Sequence, residues 1–199
     1  MENNGSFVEN IADASCSRWS GGCTYELAIG PEGASYKARD FEWRVSSASV
    51  ELEESVFTDL PDYERWILTL NGDLELVHDG GAPVRLSPFT PHRFDGASHT
   101  RSAGRVRDFN LMLRKGICRG GLRVFTLRKG ERIVPALPAG AASARRHLLL
   151  FCADGSCIAE SGEGEGVCRR GDYVSTDTDI AVRNGGSDRA IVVMACIYY

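Results

Sequence analysis

The residues of this chain best suited to chemistry are two arginines, two carboxylates, an amide and a threonine, all set in strand-like runs. Thr24 and Glu26 lie in Trp19-Ser20-Gly21-Gly22-Cys23-Thr24-Tyr25-Glu26, and Arg44 closes Asp40-Phe41-Glu42-Trp43-Arg44. Arg65 precedes Trp66-Ile67-Leu68, and Asp108 and Asn110 lie in Arg107-Asp108-Phe109-Asn110-Leu111-Met112-Leu113-Arg114. In an extended chain residues i and i+2 share a face. Thr24 therefore points with Glu26, Arg44 with Ser46, Arg65 with Thr69 if the strand already includes Arg65, and Asp108 with Asn110, while Tyr25, Trp43, Trp66, Leu68, Phe109 and Leu111 take the opposite faces. A guanidinium grips a carboxylate through two parallel hydrogen bonds, so Arg44 and Arg65 are candidates for holding a small anion. Glu26, Asp108 and Asn110 could orient an amide or a ring nitrogen, and Glu26 or Asp108 could instead serve as a base. The short Ser and Thr side chains leave room for a ligand. Trp19, in a loop position before Gly21-Gly22, is suited to close over the mouth of such a site.

Two plainer arrangements satisfy the same pattern. The polar faces can look outward to water, as in many antiparallel sheets. Alternatively, Arg44 or Arg65 can pair with Glu26 or Asp108 in a closed network, which offsets its desolvation only with good geometry. Trp43 and Trp66 read as packing residues.

Other chemistry is thinly represented. A metal-dependent β-barrel site needs three or four convergent N/O ligands, usually opened by two histidines two residues apart. The histidines are His78, His92, His99 and His147, none at that spacing. His78, beside the Asp79-Gly80 turn, reads as solvated, and His92 and His99 are the pair that could converge across a loop. No metal and no cofactor is expected. Neither a GxSxG elbow nor a phosphate-binding glycine loop occurs. Seven cysteines without a CxxC pair read as small buried hydrophobes. A net charge of −4 with both signs interspersed argues against nucleic acid as a partner. No apolar run reaches the length of a membrane span, and the polar N-terminus lacks the regions of a signal peptide, so a soluble cytoplasmic protein is expected.

The elements that must position these residues are strands. Short runs of Val, Ile, Leu, Phe and Tyr alternate with turn clusters such as Asn71-Gly72-Asp73 and Asp154-Gly155-Ser156, the pattern of an all-β sandwich or barrel. A weak internal repeat at an offset of about 83 residues lays Ile67-Leu76 on Leu150-Ala159 and Leu86-Phe89 on Arg169-Asp172. It predicts equivalent hairpin turns at Gly72 and Gly155. Two tandem antiparallel barrels follow, one over residues 1–118 and one over 119–199, with the break at Lys115-Gly116 and Gly120-Gly121.

Three motifs, W-x-x-G-G-x-T-x-E from Trp19, D-F-x-W-R-x-S-x-A from Asp40 and D-F-N-x-M-x-R from Asp108, resemble the HutD/Ves family in kind and order. The chain departs from the family pattern at Ser20 and in Phe94-Asp95-Gly96. The resemblance implies a bacterial, cytoplasmic bicupin of two fused cupin-like (RmlC-like jelly-roll) barrels, and a role near histidine utilisation. It also implies that Thr24, Glu26, Arg44, Asp108 and Asn110 belong to one site. Three functions are then open. One is a non-metal, regulatory binder of a small anionic or polar metabolite such as urocanate or N-formylglutamate. The second is a metal-independent isomerase or lyase, and the third an interaction module whose β surfaces mediate homodimer formation.

Overall fold

The computed structural model describes residues 7–135, 145–186 and 188–199. Apart from one 3-10 turn at Ile11–Asp13, its regular elements are strands, so the chain is all-β. In chain order they are β1 (Glu9–Asn10), β2 (Ser15–Trp19), β3 (Gly22–Gly30), β4 (Trp43–Val50), β5 (Glu54–Val56), β6 (Tyr63–Asn71), β7 (Leu74–His78), β8 (Val84–Leu86), β9 (His92–Asp95) and β10 (Thr100–Ala103). There follow β11 (Val106–Arg114), β12 (Arg119–Leu127), β13 (Arg132–Ile133), β14 (Arg146–Asp154), β15 (Ser156–Ser161), β16 (Gly164–Arg169), β17 (Asp172–Thr176), β18 (Ile180–Arg183) and β19 (Ala190–Tyr198).

They form two compact units, one of Ala14–Leu122 and one of Met1–Asp13 with Arg123–Tyr199. The N-terminal residues belong to the second of these units. There β1 pairs with β17, Glu9 opposite Tyr173, so the chain start completes a sheet of the C-terminal half. The unit of Ala14–Leu122 has a six-stranded sheet, β2-β3-β4-β11-β6-β9, and a four-stranded sheet, β5-β10-β7-β8. The other has a five-stranded sheet, β1-β17-β14-β19-β12, and a four-stranded sheet, β13-β18-β15-β16. No sheet closes on itself among the described residues.

The pairing of β4 to β11 recurs eight strands later in β12 to β19, and the repeat seen in the sequence belongs to this correspondence. Gly72 and Gly155 both take a left-handed conformation, φ 69° and 71°, which glycine adopts without the steric cost of a Cβ. The turns are not hairpins, however. Each carries the chain from one sheet to the other, β6 to β7 and β14 to β15. A glycine of positive φ serves either kind of turn, and only long-range pairing separates them.

Within the unit of Ala14–Leu122, Val50, Ile67, Leu74, Leu76, Leu86, Phe94 and Val106 form one apolar cluster drawn from both sheets. The two sheets therefore pack face to face over that end. Ile67, Leu74 and Leu76 are almost wholly buried, each contributing roughly 1.5–3 kcal/mol by leaving water. The same inner face of the six-stranded sheet turns polar toward its other end, where the side chains singled out by the sequence stand. The opposite face, with Val45, Leu68, Phe109, Leu111 and Leu113, is buried as well. Such a sheet excludes the outward, solvated arrangement of Arg44, Arg65, Asp108 and Asn110, each less than a tenth exposed.

The cysteines divide. Cys152, Cys157, Cys168 and Cys196 are buried, as small hydrophobes should be, whereas Cys16 and Cys23 are joined in a disulfide between β2 and β3, a pairing the sequence reading did not include.

Candidate functional site

Strand register sets the residues of β3, β4, β11 and β6 in rows across the inner face. In the first row Met112 of β11 lies opposite both Arg44 of β4 and Arg65 of β6. The two arginines thus flank one methionine, two strand spacings apart, or roughly 10 Å between backbones. In the next row Asn110 lies opposite Ser46 and Ile67, and Ser46 opposite Glu26. Beyond it Asp108 lies opposite Thr69, and Thr24 opposite Ala48. Register shifts fall beside two of these residues, between Arg107 and Asp108 on β11 and between Glu26 and Ala28 on β3. Such bulges bend a strand and re-aim its side chains.

All seven residues singled out by the sequence, Trp19, Thr24, Glu26, Arg44, Arg65, Asp108 and Asn110, line one cavity of about 320 Å³. Ser17, Arg18 and Trp19 of the exposed edge strand β2 form one wall. Phe57 and Thr58, just after β5, form another. Trp19 stays 40% exposed, and its ring occupies the space a Cβ on Gly21 would need, 2.0 Å away. Gly22, at φ 147°, lies so close to the Ser49 carbonyl that a Cβ would fall 1.8 Å from its oxygen. The paired glycines therefore let the tryptophan fold over and β3 reach β4.

The two arginines are held differently. Arg44 Nε donates to Glu26 Oε2 at 2.7 Å and Nη1 to Ser46 Oγ at 3.2 Å. Arg65 has no carboxylate within ion-pair distance among the described residues. Its Nη1 donates to the Thr58 carbonyl at 3.1 Å, and its guanidinium lies 5.0 Å from the ring centres of both Phe57 and Phe94. Burial lowers its pKa to about 10. Asp108 Oδ1 accepts from the Ala48 amide at 2.8 Å and from Asn110 Nδ2 at 2.6 Å, while Oδ2 has no partner among the described residues. Burial raises the Asp108 pKa to about 7, against the lowering influence of the Ala48 amide, the Arg65 charge and Asn110. The cavity thus holds guanidinium donors not used by the protein, beside a carboxyl that is easily kept neutral.

A scan of the chain against known families matches the HutD family model over residues 11–191. The chain belongs to the HutD family. A 92-residue segment is 35% identical to Protein Ves of Cronobacter sakazakii, covering 44% of this chain and 50% of that protein, so the match spans about half the length of the curated relative. Among solved structures, the conserved protein of unknown function PA5104 from Pseudomonas aeruginosa PAO1 is similar at TM-score 0.79 and 22% identity, over 96% of this chain and 97% of that one. HutD from Pseudomonas fluorescens SBW25 is similar at TM-score 0.68 and 22% identity, over 95% and 97%. A cupin 2 conserved barrel domain protein from Leptotrichia buccalis reaches TM-score 0.59 at 11% identity, over 96% and 95%. These likenesses make the fold cupin-like.

Several lining residues gave no signal in the sequence. Tyr36 stands in the irregular loop between β3 and β4, where no period applies. The guanidinium carbons of Arg39 and Arg44 lie 3.9 and 4.4 Å from its ring centre. Burial raises its pKa, but hydrogen bonding to Arg39, the Arg39 charge, Thr58 and Arg65 override it, and the net shift is downward. Arg39 Nη1 is buried with no partner among the described residues. Met112 reads as core in a sequence, and only the register between two arginines gives it a place here. The histidines also differ from expectation. His78 is half-buried and bonded to His92, Nε2 to Nε2 at 3.0 Å, whereas His99 instead approaches Asp59 at 3.8 Å.

Proposed function

We propose that this chain is a non-metal, cupin-type small-molecule-binding protein with a regulatory role, whose N-terminal cavity holds a small carboxylate metabolite. Its architecture on this reading is a bicupin of two jelly-roll barrels. The strand orders β4-β11-β6-β9 and β5-β10-β7-β8, repeated in β12 to β19, support it, being those of an eight-stranded double-sheet roll. Arg65 carries the functional reading. A guanidinium buried beside a cavity, with no carboxylate within ion-pair distance among the described residues, is at a cost unless an anion completes it. Arg44 supplies the second donor, Glu26, Asp108 and Asn110 orient the remainder of the ligand, Thr24 leaves it room, and Trp19 covers it. Among the described residues no three His, Cys, Asp or Glu side chains gather as a metal would require.

Membership of the HutD family favours a product of histidine degradation, urocanate or N-formylglutamate, and with it a cytoplasmic setting and neither nucleic acid nor membrane as partner. Among the described residues no helix is long and apolar enough to cross a membrane. A thermal-shift screen with acetate, urocanate and N-formylglutamate tests the reading. A ligand at a hundred times its Kd adds about 2.7 kcal/mol, or about 5–11 °C in a chain of this size. No shift with any of the three, together with dimerisation through the β surfaces, would favour the interaction-module reading.

One observation favours an enzyme instead. Asp108, buried with no partner for Oδ2 among the described residues and a pKa near 7, has the properties of a proton acceptor in a metal-independent isomerase or lyase. Asp108→Asn separates the two, since an enzyme would keep binding and lose turnover.

A further inference from the structure

Outside the cavity, two histidines tie together the sheets of the unit of Ala14–Leu122. His78 ends β7 in the four-stranded sheet and His92 opens β9 in the six-stranded one, and their Nε2 atoms are 3.0 Å apart. His78 Nδ1 lies 2.8 Å from Thr100 Oγ1, and the buried Thr100 hydroxyl donates to the Ser98 carbonyl. Whichever ring nitrogen donates, the Nε2–Nε2 bond at 3.0 Å needs one proton between two nitrogens. The pair therefore shares one proton in its neutral form. The Phe94 ring lies 4.9 Å from the His78 ring, and the Arg65 guanidinium lies 5.0 Å from the centre of Phe94. A chain of ring contacts runs from His92 through His78 and Phe94 to the arginine of the cavity.

We infer that His78 and His92 are positioning residues for the anion site: sharing one proton across the two sheets, they hold Phe94 against Arg65, and protonation of both rings parts them. That Arg65 binds an anion rests on the reading proposed above; that the pair sets Arg65 does not. A first added proton makes one ring an imidazolium and leaves the Nε2–Nε2 bond in place, with the neutral ring accepting; a second makes both rings donors 3.0 Å apart with no acceptor between them. Of the charged groups around the pair, Asp79 beside His78 favours protonation and Arg65 opposes it. Asp79 itself accepts from the His99 amide, His99 faces Asp59, and Arg93 next to His92 is engaged by Glu64. Burial holds both rings below the ordinary histidine value, joined by the Arg65 charge and opposed by Asp79 at His78, and joined by the His78 charge at His92. An unfolded chain takes up protons near pH 6.5 while the folded pair resists them. The pair thus withdraws stability as pH falls below 6.5 toward its folded pKa, and has no effect above 6.5.

The test follows the Arg65 Nε–H resonance, assigned by its loss in Arg65→Met, from pH 8 to 5 in wild type and in His92→Gln. Glutamine keeps a donor to His78 but takes no proton. Asp108 titrates in both proteins, so the difference between them reports the pair. The wild type should show an additional transition below pH 6.5 that His92→Gln lacks. With acetate as probe, the affinity of His92→Gln relative to wild type should rise about tenfold between pH 7.5 and 5.5. Superimposable Arg65 curves would overturn the inference. Acetate binding to neither protein would instead remove the anion-site reading and leave the Arg65 curves to decide positioning. If His92→Gln does not fold, His78→Gln gives the same comparison.

Discussion

Arg65→Met should separate binding from stability. A guanidinium lowered from the usual arginine value to about 10 has lost roughly 2.5 pH units, which at 1.36 kcal/mol each is about 3 kcal/mol against the folded state at neutral pH. Methionine removes that cost. It also removes the bond to the Thr58 carbonyl and the two cation–π contacts, each worth about 1 kcal/mol, and returns sulfur–aromatic contacts with Phe57 and Phe94. These contributions nearly cancel. Asp108 is not left as a stranded charge, because with Arg65 gone its pKa rises further and it stays neutral. Urea unfolding of the ligand-free protein at pH 7 should therefore give a stability within about 1 kcal/mol of wild type, or higher. The thermal shift produced by carboxylates should vanish in the same variant. A loss of about 3–5 kcal/mol, as expected when one partner of a buried structural pair is removed, would refute the argument that Arg65 waits for an anion.

Arg44→Lys should weaken carboxylate binding about tenfold or more, because an ammonium cannot reproduce the planar fork, while Arg44→Ala should in addition cost about 1–2 kcal/mol of stability by releasing a Glu26 carboxylate that is only partly hydrated; chemical denaturation and ligand-induced melting shifts read the two effects. Asp108 is protonated in the folded protein up to about pH 7 but ionises near 3.9 when unfolded, so its stabilising effect is full below pH 4 and is lost as pH rises toward 7. Asp108→Asn should flatten that part of the stability profile and be about 2–4 kcal/mol more stable than wild type at pH 8, as measured by urea midpoints. Gly22→Ala should destabilise by about 2 kcal/mol or more, since the new Cβ meets the Ser49 carbonyl at 1.8 Å and the φ of 147° suits only glycine; an unchanged melting temperature would contradict the close approach of β3 and β4.

Much of the site is local, and to that extent the sequence already contains it. Period-two alternation alone puts Thr24 with Glu26, Arg44 with Ser46, and Asp108 with Asn110, and the family motifs cover the same residues. What joins the runs is not local. Arg44 and Arg65 face one another across Met112 because β11 inserts between β4 and β6, an order that no window of the sequence contains. The same limit explains Gly72 and Gly155, whose turn chemistry fits a hairpin and a sheet-to-sheet crossing equally well. It also explains β1, whose partner β17 lies more than 160 residues away. His78 shows the opposite failing. A histidine beside Asp79-Gly80 satisfies every local criterion for a solvated turn, and only the arrival of β9 and β10 gives it His92 and Thr100 as partners. Tyr36 had no pattern to betray it, since its loop is fixed by single bonds such as that from the Ser35 amide to Asp40.

A crystal structure of the protein grown with N-formylglutamate, and another with urocanate, tests the central claim most directly. At least one should show a carboxylate in the cavity within hydrogen-bonding distance of both Arg44 and Arg65, with Asp108 or Asn110 meeting the remainder of the molecule. An empty cavity in both crystals, or a ligand bound elsewhere while Arg65 keeps only its bond to the Thr58 carbonyl, would contradict it.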